Sequence, residues 1–115
     1  NLLKRNIFSF YVPKKLEKSG AITFGKANKK YTVEGKSIEW FPVISLYYWE
    51  INLLDIQLSH KNLFLCESKK CRAAIDTGSS LENNTLECNS FIRKYYTIFD
   101  NDHKLIGLIE ANHNF

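Results

Sequence analysis

Ala73-Ala74-Ile75-Asp76-Thr77-Gly78-Ser79-Ser80 is the stretch on which the reading of this chain turns. An apolar run ends abruptly in a carboxylate, and small hydrogen-bonding residues follow it. A buried strand of this kind delivers an aspartate to a fixed position. Gly78 lets the backbone turn tightly with its amide near the carboxylate, and Thr77 and Ser79 add hydroxyl donors that hold it. Taken alone, Asp-Thr-Gly is a weak signal, because the same three residues cap helices and make turns. Its meaning depends on what surrounds it.

On either side of this stretch the chain reads as nearly all β. Segments rich in β-branched and aromatic residues recur between turn residues: Ile7 to Val12, Ala21 to Phe24, Ile38 to Phe41, Tyr48 to Leu58, Ala73 to Ile75, Tyr96 to Phe99 and Leu105 to Ile109. That spacing suits a barrel or sandwich. In the longest run, Trp49, Ile51 and Leu53 share one face of a strand while Glu50 and Asn52 take the other, the pattern of a strand with one buried face. Ser19-Gly20, Glu34-Gly35 and Asn101-Asp102 are the expected turns.

The 115 residues, 44% hydrophobic and 14% aromatic, suffice for one domain with a sizeable core. Sixteen basic against twelve acidic residues give a net charge of +4, but the Lys and Arg are scattered and form no basic stripe beside stacking aromatics. Nucleic-acid binding is therefore not expected, and the charge reads as solvated surface. No run of eighteen apolar residues is present, so no membrane span is expected, and any leader would lie outside this chain. Three cysteines are odd in number, and no second Cys/His pair completes a zinc site, so neither a metal nor another cofactor is expected. A local disulfide between Cys66 and Cys71, with Cys88 left over, is the simplest account and points to an oxidising compartment.

The chain resembles the C-terminal lobe of pepsin-type aspartic proteases, block by block and in order. Ile7-Phe8-Ser9-Phe10-Tyr11-Val12 matches the strand that opens the lobe, and Ser19-Gly20-Ala21-Ile22-Thr23-Phe24-Gly25 the strand after it. Ile38-Glu39-Trp40-Phe41-Pro42-Val43, followed by Tyr48-Trp49-Glu50-Ile51, matches the family's Trp-x-Pro-Val and Tyr-Trp pair. Cys66 and Cys71 bracket the small loop that precedes the lobe's Asp-Thr-Gly, here Asp76-Thr77-Gly78. Phe91 to Asp100 matches the closing helix-to-strand segment, and Lys104 to Ile109 the last strand. Within the family the wording is nearest the plasmepsins of malaria parasites, on the branch that holds plasmepsins IX and X.

The resemblance implies an all-β, pepsin-like lobe with a short helix before the last strands, spanning residues 1–115. It implies that segments are missing between residues 80 and 89, since the family has several dozen residues there. Cys88 would then pair with a cysteine of the absent stretch. The resemblance also implies an aspartic endopeptidase of the secretory pathway, made as a zymogen, with Asp76 as one of two catalytic aspartates and Thr77, Gly78 and Ser79 supporting it. Two such carboxylates share a water and one proton, because like charges so close cannot both ionise readily. The partner Asp would come from an N-terminal lobe. Peptide or protein substrates, and pepstatin-like or hydroxyethylamine-type inhibitors, are the ligands implied. Ala74, Ser79, Ser80 and Tyr48 are candidates to touch them, Tyr48 less so because aromatics in strands are more often core.

Other residues read as structural. Asp55 follows Leu53-Leu54 at an expected strand bend, and Asp100 and Asp102 fall in a hairpin turn where solvent exposure is the ordinary state. His60, His103 and His113 lie in polar loops and read as surface residues. No histidine is placed to activate Ser79 or Ser80 as a nucleophile. Asn83-Asn84-Thr85 is a glycosylation sequon, but it falls in the stretch where segments are expected to be missing. Two rival functions are a non-catalytic pepsin-like binding protein and a homodimeric retroviral-type protease. The second is disfavoured because its motif lies early, whereas here 75 residues precede it.

Overall fold

The computed structural model describes residues 2–15, 17–54, 57–58, 61–62, 64, 66, 71–77 and 92–114. Gly78, Ser79, Ser80, Cys88, Asp55, His60, the sequon and the expected missing segments lie outside these residues.

Among the described residues the chain is built from strands with almost no helix. Strands β1 (Ile7–Tyr11), β2 (Ala21–Phe24), β3 (Glu39–Pro42), β8 (Tyr95–Asp100) and β9 (Leu105–Glu110) form one antiparallel sheet in the order β2-β1-β8-β9-β3. A second ribbon pairs β4 (Glu50–Leu53) with β7 (Cys71–Ala74), and a short one pairs β5 (Gln57–Leu58) with β6 (Lys61–Asn62). The expected short helix is the single turn at residues 92–94.

Strand β8 is central, paired with β1 on one side and β9 on the other. A strand covered on both faces must be apolar or satisfied at every position, and residues 96–100 are all buried. Tyr96 and Ile98 point to one face, where they meet Ile7, Tyr11, Ile109 and Ala111. A 3-10 turn at Lys29–Tyr31 covers that side, started by Asn28, whose side chain accepts from Lys30 N at 3.1 Å. Its Tyr31 ring stacks on Tyr11 at 4.6 Å. Burial, together with the neighbouring Tyr31, pushes the Tyr11 hydroxyl above its ordinary pKa.

Phe99 points to the other face and is only 2% exposed. It stacks on Phe8 at 4.8 Å and meets Trp49 at 5.0 Å and Phe10 at 5.8 Å edge to face. Ile51, Ala73 and Ile75 close over the same cluster, so the β4–β7 ribbon forms a second layer on the sheet. Of the face expected for Trp49, Ile51 and Leu53, the first two turn into this cluster and Leu53 is half-buried, while Asn52 is exposed.

The run from Tyr48 to Leu58, expected as one strand, is divided. β4 stops at Leu53, which pairs with Cys71, the first residue of β7. Cys71 is also bridged there to Cys66, with the two Cα atoms 5.6 Å apart. The expected turn at Glu34-Gly35 is present, with Gly35 at φ 81° where a side chain is disfavoured. The β8–β9 turn falls at Asn101–Lys104.

Two expectations about polar residues need correction. Asp100 is not a solvent-exposed turn residue but is 4% exposed. Its carboxylate accepts from His103 N at 3.1 Å and lies 2.9 Å from His103 Nδ1, which satisfies it inside the hairpin. His113 is likewise no loose surface histidine. Its Nε2 lies 2.6 Å from the Arg93 carbonyl and its Nδ1 3.0 Å from the Tyr11 hydroxyl. Since the carbonyl can only accept, Nε2 donates, and in the neutral ring the Tyr11 hydroxyl then donates to Nδ1. Asp102 is exposed as expected.

Candidate active site

The site is assembled by the β4–β7 ribbon. Alternation along β7 sends Ala73 and Ile75 into the core cluster and leaves Arg72 and Ala74 exposed. Arg72 reaches Glu50 across the ribbon at 3.8 Å, an exposed ion pair of small energetic weight. The ladder continues past the end of β7, because Ile75 N donates to the Trp49 carbonyl at 2.9 Å. The half-buried Ile75 side chain, packed against the core cluster, and this hydrogen bond hold the backbone immediately before Asp76.

Asp76 and Thr77 then emerge exposed. A carboxylate one residue beyond an anchored strand is held in place while staying open to a reactant. Glu50 pairs with Ala74, and Tyr48 stands just before β4 in a turn closed by Glu50 N, which donates to the Tyr48 carbonyl at 2.9 Å. Tyr48 is 66% exposed rather than core. Ala74 faces outward on the same side of the ribbon as Glu50, its small side chain leaving space there. The structure thus brings Ala74, Asp76, Thr77 and Tyr48 to one end of one ribbon.

Tyr48 lines an open cavity of about 350 Å³ formed by residues 43–49 with Asn101 and Lys104. The cavity was not foreseen from the sequence. The signal available was the run Ser45-Leu46-Tyr47-Tyr48, in which a turn-forming serine precedes three bulky residues. Ser45 Oγ accepts from Tyr47 N at 3.1 Å and Tyr48 N at 3.2 Å, so the chain curls and presents its side chains outward. Leu46 is 96% and Tyr47 87% exposed as a result. The second wall is tied on by Val43 N, which donates to the Lys104 carbonyl at 2.9 Å.

No group of three or more His, Cys, Asp or Glu side chains suited to a metal occurs among the described residues. Nor is any helix among them long and apolar enough to cross a membrane. What the arrangement offers is acid–base chemistry at a carboxylate, beside an apolar and aromatic surface able to hold a ligand.

Comparison with known proteins bears on that chemistry. The family model for eukaryotic aspartyl proteases matches residues 1–88. Plasmepsin VI of Plasmodium berghei (strain Anka) is 44% identical over 193 residues, taking in all of this chain and 44% of that protein. Plasmepsin VIII of the same organism is 41% identical over 83 residues, 70% of this chain and 22% of its own length. Pepsin A of Gallus gallus is 31% identical over 81 residues, again 70% of this chain and 21% of the relative. The chain spans less than half the length of these curated relatives.

Proposed function

The chain belongs to the eukaryotic aspartyl protease family, and on that premise we propose that Asp76 is one of the two catalytic carboxylates of an aspartic endopeptidase. The observation that carries the reading is the exposed Asp76-Thr77 pair at the anchored end of β7, directly after Ile75, which packs half-buried against the core cluster. The second aspartate comes from an N-terminal lobe outside these residues. One carboxylate of the pair is ionised and takes a proton from the shared water, whose oxygen adds to the scissile carbonyl carbon. The protonated carboxyl gives its proton to the carbonyl oxygen, and a tetrahedral gem-diol forms without a covalent enzyme intermediate. Proton transfer to the amide nitrogen then lets the C–N bond break. The pair titrates as a unit, so neither macroscopic pKa belongs to Asp76 alone.

Thr77, Gly78 and Ser79 support the carboxylate in this reading, and Ala74, Ser79, Ser80 and Tyr48 line the peptide-binding side. Extended peptides and peptide-like inhibitors of the pepstatin or hydroxyethylamine type are its ligands. The match to plasmepsin VI runs over 193 residues against 115 here, which supports further segments between residues 80 and 89 of the lobe. Among plasmepsins, the wording of the chain suggests the IX and X branch, X first. The matches to plasmepsins VI and VIII favour that pair instead, and we take it as the working grouping. The Cys66–Cys71 bridge fits a secretory route, where disulfides persist.

The test is cleavage of a peptide by the complete two-lobed protein at mildly acidic pH. Asp76→Asn keeps the size of the side chain but cannot share the dyad's proton, so turnover is expected to collapse while peptide binding survives. Ser79→Ala removes one supporting hydroxyl, for which the loss is about 1 kcal/mol, or several-fold in rate. A folded Asp76→Asn enzyme cleaving at close to the parental rate would remove Asp76 from the mechanism.

A further inference from the structure

The cavity beside the Asp76 strand has a chemistry of its own. At about 350 Å³ it falls within the range of roughly 300–1,000 Å³ typical of ligand sites. Its walls are largely apolar and aromatic, carried chiefly by Val43, Leu46, Tyr47 and Tyr48, and among the described residues Lys104 is the one charged residue in its lining. Lys104 Nζ donates to Asn101 Oδ1 at 2.6 Å, which steadies the ammonium and leaves it further donors to offer. The carboxylates of the same hairpin are turned to other partners. Asp100 is bound to His103, and Asp102 accepts from Asn6 N at 3.0 Å and Asn6 Nδ2 at 2.8 Å. Among the described residues, the positive charge at the cavity is therefore not matched by an anion of its own wall.

We propose that this cavity binds an acidic peptide, holding a bulky apolar side chain against Leu46, Tyr47 and Tyr48 and an adjacent carboxylate at Lys104. The open side left by the exposed Leu46 and Tyr47 admits an extended chain passing across it. Trp49, which also lines the cavity, accepts from Ile75 N through its carbonyl, so the cavity lies next to the candidate catalytic strand. The inference deepens the peptidase reading, which already sets Tyr48 on the peptide-binding side, by adding a preference for an acidic residue at Lys104, and its readout is binding without turnover.

Two fluorescein-labelled peptides, Gly-Ala-Phe-Glu-Ala-Gly and the same with Gln for Glu, are titrated with the full chain by fluorescence polarisation at low salt. The Glu peptide is expected to bind more tightly than the Gln peptide, by about fivefold for an exposed ion pair. That advantage falls as salt is raised. Lys104 stands in the left-handed region at φ 53°, where Asn is well tolerated, so Lys104→Asn removes the charge while suiting the backbone. It should abolish the preference for Glu, and Lys104→Arg should keep it. Leu46→Ala and Tyr47→Ala, at exposed positions, should weaken both peptides while circular dichroism stays parental. Equal affinity for the two peptides, an unchanged Glu preference in Lys104→Asn, or no binding of either peptide at millimolar concentration would overturn the proposal. Because the readout is binding, these outcomes are independent of whether Asp76→Asn abolishes cleavage.

Discussion

Gly107 offers a sharp test of the sheet that carries the site. It lies in β9, paired with Ile98 of β8 and with Trp40 of β3. Its missing side chain leaves the space that Trp40 and Ile38 fill. A Cβ at this position would stand 2.8 Å from Trp40 Cζ3, 2.9 Å from Ile38 Cγ2 and 3.0 Å from Trp40 Cε3. Comfortable carbon contacts lie near 3.5–4.0 Å, so both neighbours must retreat by roughly half an ångström or more. The Trp40 ring, 43% exposed, can swing toward solvent, but Ile38 is packed against the buried cluster around Tyr96. Overpacking of this kind costs about 1–3 kcal/mol, and Ala regains roughly 0.5–1 kcal/mol over Gly in a strand. Gly107→Ala should therefore destabilise by about 1–2 kcal/mol. With an unfolding entropy near 2.1 cal/mol/K per residue, that is a drop in Tm of about 4–8 °C, read by differential scanning calorimetry. Trp40→Ala in the same chain should recover part of the loss beyond additivity, because it removes two of the three close atoms. A Tm for Gly107→Ala within a degree of the parent, or above it, would refute this account of why glycine stands there.

Replacing Cys66 and Cys71 together by Ser opens a loop whose ends are 5 residues apart, a loss of about 2 kcal/mol in the chain-entropy account. Urea unfolding should show a lower midpoint with an unchanged slope, and an unmoved midpoint would mean that the bridge does not stabilise β7. The Asn6 backbone and side-chain donors hold the Asp102 carboxyl below its ordinary pKa. Its folded value is thus lower than its unfolded one, so its contribution is complete above the unfolded carboxyl range, near ~3.9, and is lost as pH falls through the folded value. Asp102→Ala should accordingly lower Tm at pH ~6, and the gap from the parent should close below pH ~4. A gap that stayed constant across that range would show that the Asn6 contacts do not favour the charged form.

What the sequence determined by itself is local in origin. Strand positions were legible at β1, β2, β8 and β9 because alternation and β-branched or aromatic content are written into adjacent residues. The inward turn of Trp49 and Ile51, the turn at Glu34-Gly35 and the short Cys66–Cys71 bridge were legible for the same reason. So was the abrupt end of an apolar strand at Asp76, since the anchoring Ile75 and the exposed Asp76-Thr77 pair are covalent neighbours. The tertiary structure alone decided what depends on residues far apart in the chain. It placed β1 beside β8, some ninety residues later, and packed one cluster on each face of β8, so that residues 96–100 are buried. It buried Asp100 against His103 and pinned His113 between Tyr11 and Arg93, where polar loops had suggested solvent. It joined residues 43–49 to Asn101 and Lys104 around one cavity. Such burial and pairing follow from which surfaces meet when two layers pack, and neither alternation along a strand nor turn chemistry encodes that meeting.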